Sequence, residues 1–222
     1  MQRNILSIVV CLLILGVFMF VNSSLFYIEY LEWTGIQYLT EEELLGYSGF
    51  SSQNILRIDT RLLANQVASH PWVYAASAKW SWPNILTVAV KERRPLAMVP
   101  IDSSWFLLDE AGVLMPPPLG IHMYALPLVT HMDPGSTEQL RATARMLMAI
   151  PVDLLDLLSE WNVAEGVFVT RQGTQIWLGD FRDLELKFET LELILADLIN
   201  RNKTATRIDL RSVRSPVVIE RK

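Results

Sequence analysis

The spacing of apolar positions changes several times along the chain, and each spacing predicts a different element. Residues 5–21 are almost wholly apolar, 25–28 extend the stretch, and no charged side chain lies between Arg3 and Glu29. Such a run predicts one helix of about twenty residues, long enough at about 1.5 Å per residue to cross the apolar core of a bilayer. After it the pattern turns mixed. Residues 25–33 predict a strand that ends at Gly35. Thr40 with Glu43 forms a capping box and predicts a short helix that stops near Gly46. Residues 54–59 read as a short extended piece. Asp59 or Thr60 caps a second helix over 61–69, with Leu62, Leu63 and Val67 on one face and Pro71 at its end. Residues 73–79 and 85–91 predict a hairpin whose turn is Ser81-Trp82-Pro83-Asn84. The order is strand, helix, helix, strand, strand. A three-stranded sheet has to cover an apolar face, and two helices on one side do so.

Arg94-Pro95 marks a junction. Beyond it, residues 96–101 and 105–108 predict strands around a turn at Asp102-Ser103-Ser104, and Asp109-Glu110-Ala111-Gly112 predicts a second turn before Val113-Leu114. Pro116-Pro117-Pro118 blocks further pairing and predicts an extended loop. Residues 126–130 read as a short strand. Ser136 with Gln139 is a second capping box, opening a helix that carries Leu140, Leu147 and Ile150 and breaks at Pro151, with 154–158 continuing helically. Residues 166–171 and 174–178 flank Gln172-Gly173 as a hairpin. Leu184, Phe188, Leu191, Leu195 and Leu198 fall at spacings of three and four, the signature of an amphipathic helix. Residues 206–210 and 213–219 close the chain as strands. The fold class is therefore α+β, with an N-terminal membrane helix, a small sheet backed by two helices, and a β-rich remainder.

Charge gives the topology and excludes one function class. The chain carries 19 basic and 24 acidic residues, a net charge of -5. No basic run interleaved with aromatics is present, which excludes a polyanion-binding surface and hence nucleic acid. Arg3 lies before the apolar run, whereas Glu29, Glu32 and Glu41-Glu42-Glu43 follow it, with no basic residue before Arg57. The positive-inside rule then places residues 1–4 in the cytoplasm, 5–24 in the membrane and the rest outside. A cleaved signal peptide is the rival reading, with Val21-Asn22-Ser23 as a small-residue site. The apolar run is longer than the roughly 7–15 residues of a signal core, which favours an uncleaved anchor. Cys11 is the one cysteine and sits inside the apolar run after Val10, so neither an intrachain disulfide nor a lipid-attachment site follows.

Candidate chemistry is sparse. His70, His122 and His131 are scattered without ligand spacing, and no nucleotide, zinc-protease or nucleophile motif occurs. Glu41-Glu42-Glu43 suits a first helical turn, where the dipole favours acidic groups. Asp153 and Asp156 fit the solvent edge of a helix. Trp72, Trp80 and Trp82 gather near one hairpin, where aromatic packing explains them, and Trp33 suits a membrane interface. No enzyme, metal, cofactor or small-molecule substrate is expected.

One stretch carries a family resemblance: His70-Pro71-Trp72-Val73, then Trp82-Pro83-Asn84-Ile85-Leu86, then residues 88–97 with Lys91-Glu92-Arg93-Arg94-Pro95. Leu107-Leu108-Asp109 with Gly112, Leu126-Pro127-Leu128, Leu178-Gly179, and Ile208-Asp209-Leu210-Arg211 followed by Pro216-Val217-Val218 repeat it downstream. In this order, and behind an N-terminal anchor, these tags resemble the FtsQ/DivIB family of bacterial cell-division proteins over nearly the whole chain. The resemblance implies a POTRA domain over residues 25–94 and a β-rich domain over 95–222. It implies a non-enzymatic scaffold at the division septum, anchored in the cytoplasmic membrane. It also implies binding of the FtsB–FtsL pair outside the membrane through the C-terminal strand region.

That places the expected partner site on Arg211, Ser212, Val213, Arg214, Ser215, Pro216, Val217 and Val218. Residues 213–219 are expected to form an uncovered edge strand, which invites an added strand. Pro216 would blunt promiscuous pairing, and Arg211 and Arg214 would meet partner carboxylates. Three departures stand out: a cytoplasmic segment of about four residues, Ser212 where many members carry an aromatic, and no basic residue in 162–165. A POTRA-bearing chaperone for unfolded β-strands is the alternative, and the two helices that interrupt the strands after Pro95 argue against its barrel. An anchored hydrolase lacks a nucleophile or metal constellation.

Overall fold

The computed structural model describes residues 2–28, 30–82, 84–118 and 126–221, with side chains from residue 5 onward; the expectations for Arg3, Glu29, Pro83 and His122 lie outside that description. The chain divides into two compact units, Met1–Glu92 and Arg93–Lys222.

The first unit opens with helix α1, Gln2–Val21. Its apolar side chains are exposed all around, Leu13 and Phe18 each at 64 %. Among the described residues no helix is long and apolar enough to cross a membrane. After α1 the expected strand over 25–33 is broken. Ser24–Phe26 forms a 3-10 turn and Tyr27 makes a single bridge to Asn54. Strand β1 therefore covers only Tyr30–Thr34. Helix α2, Glu41–Ser48, is capped by Thr40, whose hydroxyl accepts from the Glu43 N–H at 3.2 Å. It runs past Gly46 to Gly49, which takes the left-handed conformation that ends helices.

Ile55–Arg57 is a second 3-10 turn rather than an extended piece. Helix α3, Thr60–Ala68, starts at Asp59, whose carboxylate accepts from the Arg61 and Leu62 N–H groups. Its buried face is Leu63, Ala64 and Val67, while Leu62 is 57 % exposed. Leu63 and Val67 are four apart and share a face, and Leu62 is turned out of it.

Strands β2, Val73–Ser81, and β3, Ile85–Glu92, form the expected hairpin. The sheet order is β1-β3-β2, with β1 parallel to β3. Leu86 and Val88 of β3 and Leu44 and Val67 of the helices are fully buried together with Trp72 and Val73 in the core. The tags in this unit are structural. The His70 Nδ1 accepts from the Trp72 N–H at 3.1 Å, and its Nε2 lies 3.4 Å from Glu43. The Glu92 carboxylate accepts from the N–H groups of Gln37, Tyr38 and Leu39, and so closes the loop that leads into α2.

The second unit contains strands β4, Pro95–Ile101, β5, Ser104–Asp109, β6, Leu114–Met115, and β7, Leu128–Thr130. Helices α4, Thr137–Ala149, and α5, Val152–Leu155, follow. Then come β8, Leu158–Asn162, β9, Val167–Thr170, β10, Gln175–Trp177, helix α6, Leu184–Asn200, β11, Ala205–Asp209, and β12, Val217–Glu220. Among the described residues these make one nine-stranded sheet, ordered β12-β11-β10-β9-β8-β7-β4-β5-β6. β7 runs parallel to β8, and β10 parallel to β11. Parallel neighbours need a long crossover, and α4 and α6 are those two crossovers. Leu140, Ala144 and Leu147 of α4 and Phe188, Leu191 and Leu198 of α6 meet Val129, Trp161, Phe168, Ile176 and Ile208 of the sheet in one core.

The structure corrects the reading of 154–158 as helix throughout: α5 ends at Leu155 and Leu158 begins β8. The hydroxyl of Ser136 caps α4 as expected, but Gln139 turns its amide oxygen to the Asp133 N–H at 3.0 Å.

Candidate functional site

The site is built on the last two strands. Ala205, Ile208 and Leu210 point into the core and are buried, so β11 is fixed by burial. β12 lies antiparallel against it, pairing Asp209 with Val217, Ile208 with Val218 and Arg207 with Ile219. β12 is also the terminal strand of the sheet, so one side of its backbone faces away from β11. Its apolar side chains are solvent-facing: Val217 at 55 %, Val218 at 36 % and Ile219 at 49 %. A strand edge bearing such side chains is a template for another strand. At the opposite end of the sheet, β6 has only two residues and is followed by three prolines, features that blunt an edge.

Of the expected residues, Val217 and Val218 lie on the strand, while 211–216 form the turn that enters it. The strand begins at Val217 rather than 213, because the Ser215 N–H bonds back to the Ser212 carbonyl at 3.2 Å and turns the chain there. Pro216 therefore precedes the strand and does not block pairing within it.

Arg211 is engaged inside the chain. Its Nε and Nη2 donate to the Asp209 carboxylate at 3.0 and 2.6 Å, and its guanidinium stands 5.1 Å from the centre of the Trp177 ring. Arg207 covers the same ring at 3.8 Å. The Arg211 hydrogen bonds hold the Asp209 carboxyl below the usual range. Arg214 is exposed and has no ion-pair partner among the described residues.

Sequence reasoning missed the clamp at the far end of β12. Glu220 accepts from Lys203 and from Arg201, the residue that caps α6. The Lys203 bond, then the Arg201 charge, keeps its carboxyl below the ordinary value. It also missed Lys187, which is only 2 % exposed. Lys187 Nζ donates to the carbonyls of Leu178 and Asp180, both at 2.8 Å, and to the Asp180 carboxylate at 3.2 Å. Its signal was a lysine three residues after Leu184, on the apolar stripe of α6. Asp180 is lowered to about 2, first by Arg182 and then by Lys187. Gly179 has φ +69°, and a Cβ there would sit 3.0 Å from Arg211 Cγ. The Leu178-Gly179 and Asp209-Arg211 tags thus pack together beneath the turn into β12.

A pH dependence follows. A carboxyl with a depressed folded value stabilises fully above its unfolded value, and that stability is lost as pH falls through the folded value. Unfolded carboxylates titrate near about 4. The thermal midpoint of the second unit should therefore hold from neutral pH to about 5 and fall between about 4 and 2. Glu220→Gln should flatten part of that fall; an unchanged pH profile would contradict the clamp. Among the described residues no group of His, Cys, Asp and Glu assembles as a metal site.

Among the described residues, a three-stranded sheet backed by two helices is followed in the chain by a nine-stranded sheet whose last strand is open on one side, which makes this a two-unit α+β protein. A family model for the POTRA domain of FtsQ type matches residues 26–93, and one for the FtsQ/DivIB C-terminal domain matches residues 97–211. The chain belongs to the FtsQ/DivIB family of cell division proteins. It is 26 % identical over 210 residues to a cell division protein FtsQ of Anaeromyxobacter sp. (strain K), covering 88 % of this chain and 71 % of that one. It is 29 % identical over 206 residues to the FtsQ of Myxococcus fulvus, covering 85 % and 71 %. The extracytoplasmic domain of DivIB from Geobacillus stearothermophilus aligns at 17 % identity and a TM-score of 0.32, over 38 % of this chain and 76 % of that one, too distant to carry an argument.

Proposed function

We propose that this chain is a membrane-anchored, non-enzymatic scaffold of the division septum, and that it binds the FtsB–FtsL pair outside the cytoplasmic membrane along β12. The observation that carries the reading is the edge position of β12, with three exposed apolar side chains on a strand whose far end is tied by Glu220 to Lys203 and Arg201. Strand addition supplies main-chain hydrogen bonds, and Val217, Val218 and Ile219 supply apolar contact. Residues 211–216 form the adjoining turn, where exposed Arg214 is available to a partner carboxylate.

The anchor is α1. Its described side chains, from residue 5 onward, fall short of a span by themselves, and the whole helix of 20 residues gives about 30 Å, the thickness of a bilayer core. Apolar side chains exposed all around a helix call for an apolar surrounding. The domain division proposed with it is residues 1–4 cytoplasmic, 5–24 in the membrane, 25–94 as the POTRA domain and 95–222 as the β-rich domain, with the boundary two residues past the division between the compact units at Glu92 and Arg93.

Two observations in dividing cells test this reading. A reporter active only outside the cytoplasm, fused after Lys222, should be active on an uncleaved chain, and a fluorescent fusion should gather in a band at mid-cell. A mature protein starting near Ser24 would remove the anchor, and a uniform signal along dividing cells would contradict the septal role.

A further inference from the structure

The end of α1 is bound to the folded part of the first unit instead of leaving it through a free linker. Asn54, 4 % exposed, donates its Nδ2 to the Val21 carbonyl at 2.7 Å. Arg57 Nη2 donates to the Asn22 side chain at 2.7 Å, and Asn22 Nδ2 donates in turn to the Phe18 carbonyl at 2.8 Å. The Ser23 N–H satisfies the Phe20 carbonyl at 3.0 Å. The last carbonyls of the helix are thus taken up by residues of the POTRA fold and by the turn that leads into it.

A line of aromatic rings runs outward from the same point. Phe20, in the last turn of α1, meets buried Phe26 edge to face at 5.3 Å, and Phe26 meets Trp82 at 6.5 Å. Trp82 comes from the β2–β3 turn, far away in sequence, yet stands beside the helix exit with 68 % of its surface exposed. Leu25, Tyr27 and Leu56 around that exit are exposed at 56, 48 and 46 %.

We propose that this rim, with Trp82 at its tip, rests in the headgroup region of the same bilayer that α1 enters, so that the POTRA fold stands on the membrane at a fixed tilt. The inference depends on the reading of α1 as an anchor. The occupant is lipid because the rim is continuous with the end of the membrane helix. It also presents the chemistry of an interfacial belt, an indole and a phenol with apolar bodies and polar tips. A rigid join means that the helix cannot insert without bringing the rim to the surface.

The test uses the full chain in nanodiscs of phosphatidylcholine, brominated either high on the acyl chain or near its end. Flotation of the chain with vesicles reports the anchor separately. The emission lost between the parent and Trp82→Phe, or Trp82→Tyr, isolates residue 82. That difference emission should be quenched, and more strongly by the high bromines than by the deep ones. Flotation together with unquenched Trp82 emission would overturn the inference and leave the anchor intact. Failure to float would overturn the anchor reading and this inference with it.

Discussion

Asp109→Ala is expected to lower the melting midpoint of the second unit by about 10–20 °C. Asp109 is 2 % exposed and carries three bonds. Its Oδ2 accepts from Arg93 Nη1 at 2.7 Å, and its Oδ1 accepts from the N–H groups of Ala111 and Val113 at 3.0 and 2.6 Å. These bonds close the turn between β5 and β6. Gly112 in that turn has φ +77°, and a Cβ there would lie 2.9 Å from the backbone of Arg141 in α4. Alanine would leave two turn N–H groups without an acceptor and the Arg93 guanidinium without its carboxylate. Breaking one side of a buried pair costs about 3–5 kcal/mol, a large part of the 5–15 kcal/mol or so that holds a domain. Asn retains one acceptor oxygen and should fall between parent and alanine. Calorimetry of residues 25–222 measures this, and a midpoint within a degree or two of the parent would show that the pair contributes little.

Gly35→Ala should unfold the first unit and leave the second folded. Gly35 follows β1 at φ +82°, and a Cβ there would stand 2.1 Å from the Val90 carbonyl oxygen of β3. The left-handed backbone costs a non-glycine residue about 1–2 kcal/mol, and forcing atoms into a packed site adds about 1–3 kcal/mol. Small domains hold only about 3–5 kcal/mol in their cores, so the sum removes most of that margin. Hydrogen exchange read along the chain should show β1 and β3 amides unprotected while β9 to β11 keep their protection. Loss of protection in both units together would contradict their independence.

Much of this architecture was legible because local signals and tertiary packing agree. The β2–β3 hairpin, the Thr40 and Asp59 caps, α4 and α6 all follow from periodicity and capping chemistry. The misses have physical causes. In 154–158 the leucine spacing fits a helix, but Leu158 pairs with Thr170 on β9, and long-range pairing prevailed. In 213–219 the β-branched residues suggested one strand, but the turn at Ser212–Ser215 delays it to Val217. Arg211 looked available to a partner because Asp209, two residues before it, gives no sign in sequence of folding back onto it. The tags that suggested the family proved largely structural: Glu92, Asp109, Gly112 and Gly179 hold loops and turns. They hold the fold, whereas the proposed contact lies on the plainer β-branched residues that follow them.

The internal engagement of Arg211 also decides how the partner site should be tested. Arg211→Glu would place a carboxylate against Asp209, and removal of 216–222 would uncover β11, so either change can disturb the fold as well as the contact. Val217→Ser with Ile219→Ser is the cleaner variant, since both side chains are half exposed and two apart on one face of β12, and serine adds no charge opposite Asp209 or Arg207. The deciding measurement is the affinity of the FtsB–FtsL pair for residues 25–222, parent against this double variant, with melting midpoints as the check on folding. If β12 is the partner strand, the double variant melts like the parent and binds at least about 30-fold more weakly, the loss of one hot spot of about 2 kcal/mol. Equal affinity at an equal midpoint would contradict the assignment and place the partner elsewhere on the chain.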